Sequence, residues 1–162
     1  MEHKAALQLP LAVVSPVDVG RLSRELTALD EFLSQAALRG GGQAPALPQT
    51  SKLLEELARQ NQLDLLVATE RRRLTEFLAS LTSRTPVLHF SFAADPSPAF
   101  LQKIVAWLRR EVHPSALVVV GLQPSIAAGC VLRSSSKYFD FSLRQHFIEK
   151  RGLLVERIGS QT

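Results

Sequence analysis

The sequence predicts an α+β protein in which a bundle of about three helices (residues 1–85) precedes a small α/β domain (residues 86–162). Before Pro86, apolar residues recur every three or four positions, which is the spacing of an amphipathic helix. After Pro86, short runs rich in β-branched and aromatic residues alternate with helical patterns, which indicates strands. The predicted order of the second domain is strand, helix, strand, hairpin and helix.

The first segment, Leu7–Val14, is a candidate edge strand, since Pro10 would exclude it from the centre of a sheet. Ser15 and Asp18 then predict the start of a helix, with Pro16 at its first position. The apolar seam of this helix has coiled-coil spacing over little more than two heptads, which favours packing in a small bundle. Its members are Val19, Leu22, Leu26, Leu29, Leu33 and Ala36.

Two further helices are predicted after Gly40–Pro48, which has the composition of a flexible connector. Ser51 caps the first of them and Asn61 marks its end. The second follows Thr69, and its first turn contains three arginines, where the helix dipole disfavours cations. This placement indicates either a solvated face or a contact with an acidic partner. The three are Arg71, Arg72 and Arg73.

The second domain is predicted to begin with the strand Val87–Phe92, where apolar and polar residues alternate. An amphipathic helix follows Asp95–Pro98 and stops at His113. Ala116–Val120 is an uncharged run with three successive valines, which is typical of a strand buried on both faces. Gly121 is expected to end that strand.

A hairpin and a final helix complete the predicted domain. A strand opens at Gly129 and runs from Cys130 to Arg133, and Lys137–Phe141 returns as its hairpin partner. Ser142 is expected to start the last helix, with Gln145 completing a capping box. The alternative for its C-terminal half is that Gly152 caps a shorter helix instead of lying within a longer one. We expect part of the apolar stripe on this helix to stay exposed for a partner helix; its members are Leu143, Phe147, Leu154 and Ile158.

Composition excludes several classes of protein. With 46% apolar and 21% charged residues the chain is ordinary for a folded globular protein. No signal peptide is expected, because the start of the chain lacks an apolar core, and no uncharged window is long enough to span a bilayer. Residues 1–81 hold 9 basic against 10 acidic residues, a charge of −1, and residues 82–162 hold 10 against 5, a charge of +5, which together give the net charge of +4. That half could face an acidic protein, nucleic acid or anionic lipid.

No catalytic, cofactor or metal site is expected. The sequence has no glycine-rich phosphate loop, and its four histidines are scattered. The single cysteine, Cys130, is more typical of a small apolar residue packed in a sheet than of a nucleophile. Asp140 stands just before a helix start, where an acidic side chain commonly satisfies free amide groups.

The runs Leu122–Ser134 and Phe139–Arg144 resemble the signature of the delta subunit of rotary ATP synthases, whose mitochondrial relative is the oligomycin-sensitivity-conferring protein. In that family a polar residue, an aliphatic residue and a small residue with a glycine precede a strand. A hairpin then ends in an Asp, a Gly or Ser and the final helix. The matching positions here are Gln123, Ile126, Ala128, Gly129, Arg133, Asp140 and Ser142.

The resemblance, which covers roughly the last 75 residues, implies a non-catalytic subunit of the peripheral stalk. The C-terminal domain would grip helices of a b-type stalk subunit, and the N-terminal helices would touch the N-terminal segments of alpha subunits. The protein would then lie on the cytoplasmic face of a membrane, held there through the complex. The family's N-terminal domain is a bundle of six helices, whereas this chain has room for about three before Pro86.

Two alternatives remain open from the sequence. A stator-like subunit of a secretion ATPase would follow the same mechanical logic with a different client. A small basic nucleic-acid-binding protein would use cations of the second half, although no recognised binding motif is present. Those cations are Arg109, Arg110, Arg133, Lys137 and Arg144.

Overall fold

The computed structural model describes residues 6–38 and 49–159, without the side chains of residues 153, 154 and 157–159. Within these ranges three helices precede a four-stranded mixed sheet, which confirms the predicted α+β class. The predicted Gly40–Pro48 connector lies outside the described residues. The elements are α1 (Pro16–Leu38), α2 (Lys52–Gln60), α3 (Ala68–Arg84), β1 (Val87–Phe92), α4 (Pro98–Glu111), β2 (Leu117–Leu122), β3 (Gly129–Arg133), β4 (Tyr138–Ser142) and α5 (Arg144–Gly159).

The predicted helix starts are confirmed at the first two helices. Before α1, an Asp18 carboxylate oxygen accepts the backbone N–H of Ser15 at 2.8 Å, which satisfies a donor that the helix leaves free. Before α2, the Ser51 hydroxyl accepts the N–H of Leu54 at 3.2 Å. The Glu25 side chain of α1 in turn accepts hydrogen bonds from the backbone and hydroxyl of Ser51, so this cap also joins the two helices.

The sheet has the order β2-β1-β3-β4. β1 and β2 are parallel, so α4 is the crossover between them, whereas β1, β3 and β4 are antiparallel neighbours. The prediction that Gly121 ends β2 is wrong. Gly121 lies inside the strand opposite Ser91, whose hydroxyl would stand 3.5 Å from a Cβ at this position, and β2 continues to Leu122.

The two faces of the sheet are packed differently. On one face, Leu88, Phe90 and Phe92 of β1 are buried under α4 together with Val118 of β2. On the other face, Leu117 belongs to the core formed by the helical bundle. β2 therefore contributes to two cores, with Leu117 in the core of the helical bundle and Val118 in the core under α4.

The predicted edge strand at Leu7–Val14 is wrong, although the segment does lie at the sheet edge. It forms a turn in which the N–H of Val13 bonds to the carbonyl of Pro10 at 3.1 Å. The carbonyl of Val14 accepts the N–H of Val118, at 2.8 Å, on the outer side of β2. A turn is favoured here because Pro10 donates no backbone hydrogen bond to a ladder.

Arg109 holds this N-terminal segment in place. Its guanidinium donates to the carbonyls of Leu9 at 3.0 Å, Pro10 at 2.7 Å and Val13 at 2.5 Å. Burial lowers the pKa of Arg109 to about 10, so the group is still protonated at neutral pH and can donate all these bonds. One side chain of α4 thus joins the segment from Leu9 to Val13 to that helix.

The last helix begins later than expected. Ser142 is the final residue of β4, and α5 starts at Arg144, so the predicted capping box with Gln145 is wrong. The backbone N–H of Ser142 instead donates to Asp140 at 2.8 Å. The single long helix predicted through Gly152 is confirmed, since α5 continues to Gly159.

Candidate partner-binding surface

The described side chains of the last helix are barely packed against the rest of the protein. Among them, every residue from Arg144 to Gly152 is exposed. Apolar residues are nevertheless present among its exposed side chains: Phe147 is 49% exposed, Ile148 63% and Val155 65%. These exposed side chains gain little from tertiary packing, which normally supplies most of a helix's stability.

The prediction that part of the helix stripe stays exposed is confirmed for the members that the structure describes. Leu143 and Phe147 are both about half exposed. The side chains of Leu154 and Ile158 lie outside the described residues, so they remain predictions.

A second group of exposed apolar residues lies on the neighbouring strand. Phe139 and Phe141 of β4 stack on each other, with ring centroids 6.1 Å apart, and are 42% and 58% exposed. They pair across the hairpin with Leu132 and Cys130, on the face that α4 covers over β1 and β2. Because α4 does not reach β4, the apolar face continues uncovered to the sheet edge.

The exposed apolar residues of β4 and those of α5 are consecutive along the chain. Phe139, Phe141 and Leu143 occur at every second position, and Phe147 lies one helical turn beyond Leu143. We call the set the exposed C-terminal surface; it consists of Phe139, Phe141, Leu143, Phe147, Ile148 and Val155. The sequence did not predict that Phe139 and Phe141 belong to this surface. Their alternation with polar residues in the hairpin was a signal that could have identified them.

The loop between β2 and β3 fixes the base of this surface. Ile126 is buried and anchors the loop, and the carbonyl of Ala128 accepts the N–H of Leu143 at 2.9 Å. Gly129 has φ +88°, and a Cβ there would lie 2.3 Å from the carbonyl oxygen of Phe141. The predicted signature residues Ala128 and Gly129 are thus in direct contact with the hairpin and the start of α5.

The remaining signature positions are polar and lie on the surface. The Gln123 backbone N–H donates to the carbonyl of Phe92 at 2.8 Å, and its side chain is exposed. Arg133 is exposed at the end of β3. Side-chain and backbone hydrogen bonds from Ser142 hold the pKa of the Asp140 carboxyl below its usual value, so this residue serves as a hydrogen-bond acceptor at neutral pH.

Arg71 is not available to a partner, which corrects the grouping of three arginines on one surface. It is 4% exposed, and its Nε lies 2.6 Å from an Asp30 carboxylate oxygen on α1. The same guanidinium donates to the carbonyls of Leu65 and Leu66 at 3.0 and 2.9 Å. Because α3 packs along α1, this side chain is drawn into a contact within the protein; of the other two, Arg72 is exposed and Arg73 half-buried.

The five cations considered for nucleic-acid binding also differ in whether they are bonded within the protein. Arg109 is bonded to backbone carbonyls, and Arg110 pairs with Glu111 at 2.6 Å. Arg133, Lys137 and Arg144 are exposed. The structure therefore does not bring the five cations together on one face.

One residue with a reactive side chain, Cys130, lies on β3 beside this region. Burial raises the pKa of the Cys130 thiol, which disfavours the nucleophilic thiolate. Among the described residues, no group of three or more His, Cys, Asp or Glu side chains is arranged to hold a metal ion.

Comparison with models of known protein families found no match, and neither did a search of curated proteins. In the part of the chain that the structure describes, no helix has both the length and the apolar character needed to cross a bilayer.

Proposed function

We propose that this chain is a non-catalytic stator subunit of a rotary proton-translocating ATP synthase, of the delta class, and that its exposed C-terminal surface binds helices of a b-type stalk subunit. The observation that carries the proposal is the apolar character of α5 and β4 where nothing in the described chain covers them. Amphipathic helices bind partners through such apolar surfaces.

The resemblance of Leu122–Ser134 and Phe139–Arg144 to the delta signature supports the choice of partner. The signature's small residue and glycine, Ala128 and Gly129, lie against the backbone at the base of α5. A rigid connection at this point would let a force applied to α5 reach the sheet. A stator subunit requires such stiffness and no chemistry of its own.

The N-terminal helices would form a second contact, with the catalytic head. They would meet the N-terminal segments of alpha subunits at the catalytic head, using exposed residues such as Arg72. The protein would then lie at the cytoplasmic face of the membrane and be held there only through the complex.

Recovery of the tagged protein from gently solubilised membranes tests the proposal. Mass spectrometry of the bound proteins is expected to find stalk and head subunits of the ATP synthase. Phe147→Glu should abolish the recovery of the stalk subunit, because it places a charge in the proposed contact on α5. Val112→Glu is the matched control, since Val112 is 54% exposed at the end of α4 and belongs to neither proposed contact.

Recovery of nucleic acid without rotary-ATPase subunits would contradict the proposal. Equal loss of subunits in the two variants would show that the exposed C-terminal surface is not the contact. Secretion-ATPase subunits in place of ATP synthase subunits would overturn the assignment of the client.

A further inference from the structure

A groove of about 760 Å³ lies on the face of the sheet opposite α4. Its floor is formed by β1 and β3, and its sides are the Thr85–Pro86 connection and the β3–β4 hairpin. Val131, which is 7% exposed, gives the floor an apolar centre. The lining of the groove includes His89, Ser91, Val131, Arg133, Ser135 and Tyr138.

The main polar feature of the groove is a pair of side chains on neighbouring strands. His89 of β1 and Arg133 of β3 are register partners, so both project from the same face, with Cβ atoms about 5 Å apart. Both side chains are exposed. Among the described residues, the Arg133 guanidinium has no hydrogen-bond or ion-pair partner. Asp140 lies on the same face, opposite Val131, and its carboxylate accepts the backbone N–H of Ser142 at 2.8 Å.

We propose that this groove binds an extended acidic segment of another protein, with one carboxylate placed between Arg133 and His89. A guanidinium binds a carboxylate through two parallel hydrogen bonds, and a histidine ring donates an N–H in either protonation state. Val131 and Tyr138 offer apolar contact to the neighbouring side chains of the segment, and the hydroxyls of Ser91 and Ser135 can bond to its backbone. Arg133 is complementary in charge to such a segment, because the acid on this face, Asp140, bonds to Ser142 and not to Arg133.

This site is separate from the stalk contact. Tyr138 and Arg133 belong to one face of the hairpin, whereas Phe139 and Phe141 belong to the other. Both contacts can therefore be occupied together, and the inference does not depend on the proposed function.

Fluorescence anisotropy with a labelled eight-residue peptide of alternating Glu and Ala tests the inference, using the full chain at fixed ionic strength. The peptide is expected to bind saturably, and the matching Gln-Ala peptide is not. Arg133→Gln should weaken binding about tenfold or more, since a hydrogen bond between charged groups is lost. His89→Leu should weaken it as well, and Ser135→Glu should do so by placing an acid at the groove.

Arg151→Gln provides the matched control, because it makes the same change of charge on exposed α5 and should leave affinity within about twofold. An equal loss in Arg151→Gln and Arg133→Gln would overturn the inference in favour of general charge attraction. Equal binding of the Gln-Ala peptide would also overturn it. So would displacement of the Glu-Ala peptide by inorganic phosphate that carries the same total charge. Thermal melts of all variants should match that of the unmodified chain, since each altered side chain is exposed.

Discussion

The carbonyl oxygen of Ala128 accepts a hydrogen bond from the backbone N–H of Leu143, 2.9 Å away. This bond joins the loop between β2 and β3 to the base of α5. Beside it, Gly129 packs against the backbone of Phe141 with a positive φ. The geometry of these few residues therefore determines how α5 leaves the sheet.

Gly129→Val is expected to destabilise the protein by about 2–3 kcal/mol, because a branched side chain meets both an unfavourable φ and the Phe141 carbonyl. Urea unfolding followed by circular dichroism measures the change. Gly152→Ala is the control: it lies in α5 with nothing within 4 Å of its Cβ position, and should stabilise the helix by up to about 1 kcal/mol. An unchanged midpoint in Gly129→Val would show that the loop rearranges freely.

Arg71→Met is expected to cost about 2–3 kcal/mol of unfolding free energy, because it removes the pair with Asp30 and leaves the carbonyls of Leu65 and Leu66 without this donor. Arg72→Met on the same turn of α3 should change stability by less than about 0.5 kcal/mol, since Arg72 is exposed. Chemical denaturation of the two variants provides the comparison. Similar values for both would mean that the Arg71 contact contributes nothing to folding.

Arg109→Met is expected to release the N-terminal segment from the sheet. The carbonyls of Leu9, Pro10 and Val13 would lose their shared donor, at a cost of about 1–3 kcal/mol. Hydrogen exchange should accelerate at Val13 and at Val118, whose N–H bonds to this segment. Arg110→Met should leave both amides protected, and equal acceleration in that variant would contradict the assigned role of Arg109.

Gln62→Gly is expected to stabilise the protein by about 0.5–1 kcal/mol. Gln62 has φ 53° just after α2, where Leu63 N–H bonds to the Ala58 carbonyl at 2.9 Å and Gln62 N–H to that of Arg59 at 3.1 Å. This is the Schellman arrangement, which favours glycine at the left-handed position. Thermal unfolding measures the gain, and a lower melting temperature than that of the unmodified chain would contradict this account of the turn.

Much of the fold could be predicted because its signals are local. Ser15 with Asp18, Ser51 and the alternation in Val87–Phe92 each specify an element within a few residues. Where a local rule failed, a distant partner determined the outcome. Gly121 remains in β2 because β1 supplies a ladder partner for it.

The burial of Arg71 depends on Asp30, which is 41 residues away in sequence. Helical spacing does separate the two arginines, because Arg71 falls on the face of α3 that carries Leu74 and Leu78, and Arg72 falls beside it. The acidic partner on the facing helix is what the local pattern does not reveal. Only the helical part of the exposed C-terminal surface was predicted, for a related reason. The stripe on α5 was evident from its spacing, whereas the exposure of Phe139 and Phe141 follows from the limited reach of α4 across the sheet.

The central claim is that the exposed C-terminal surface binds stalk helices. Calorimetric titration of the purified chain with the soluble part of the b-type stalk subunit tests it most directly. We expect saturable binding that a double variant, Phe141→Glu with Phe147→Glu, weakens at least about a hundredfold, by loss of two buried aromatic contacts. Val17→Glu should bind like the unmodified chain. No heat of binding with the unmodified chain, or equal affinity in the double variant, would contradict the claim.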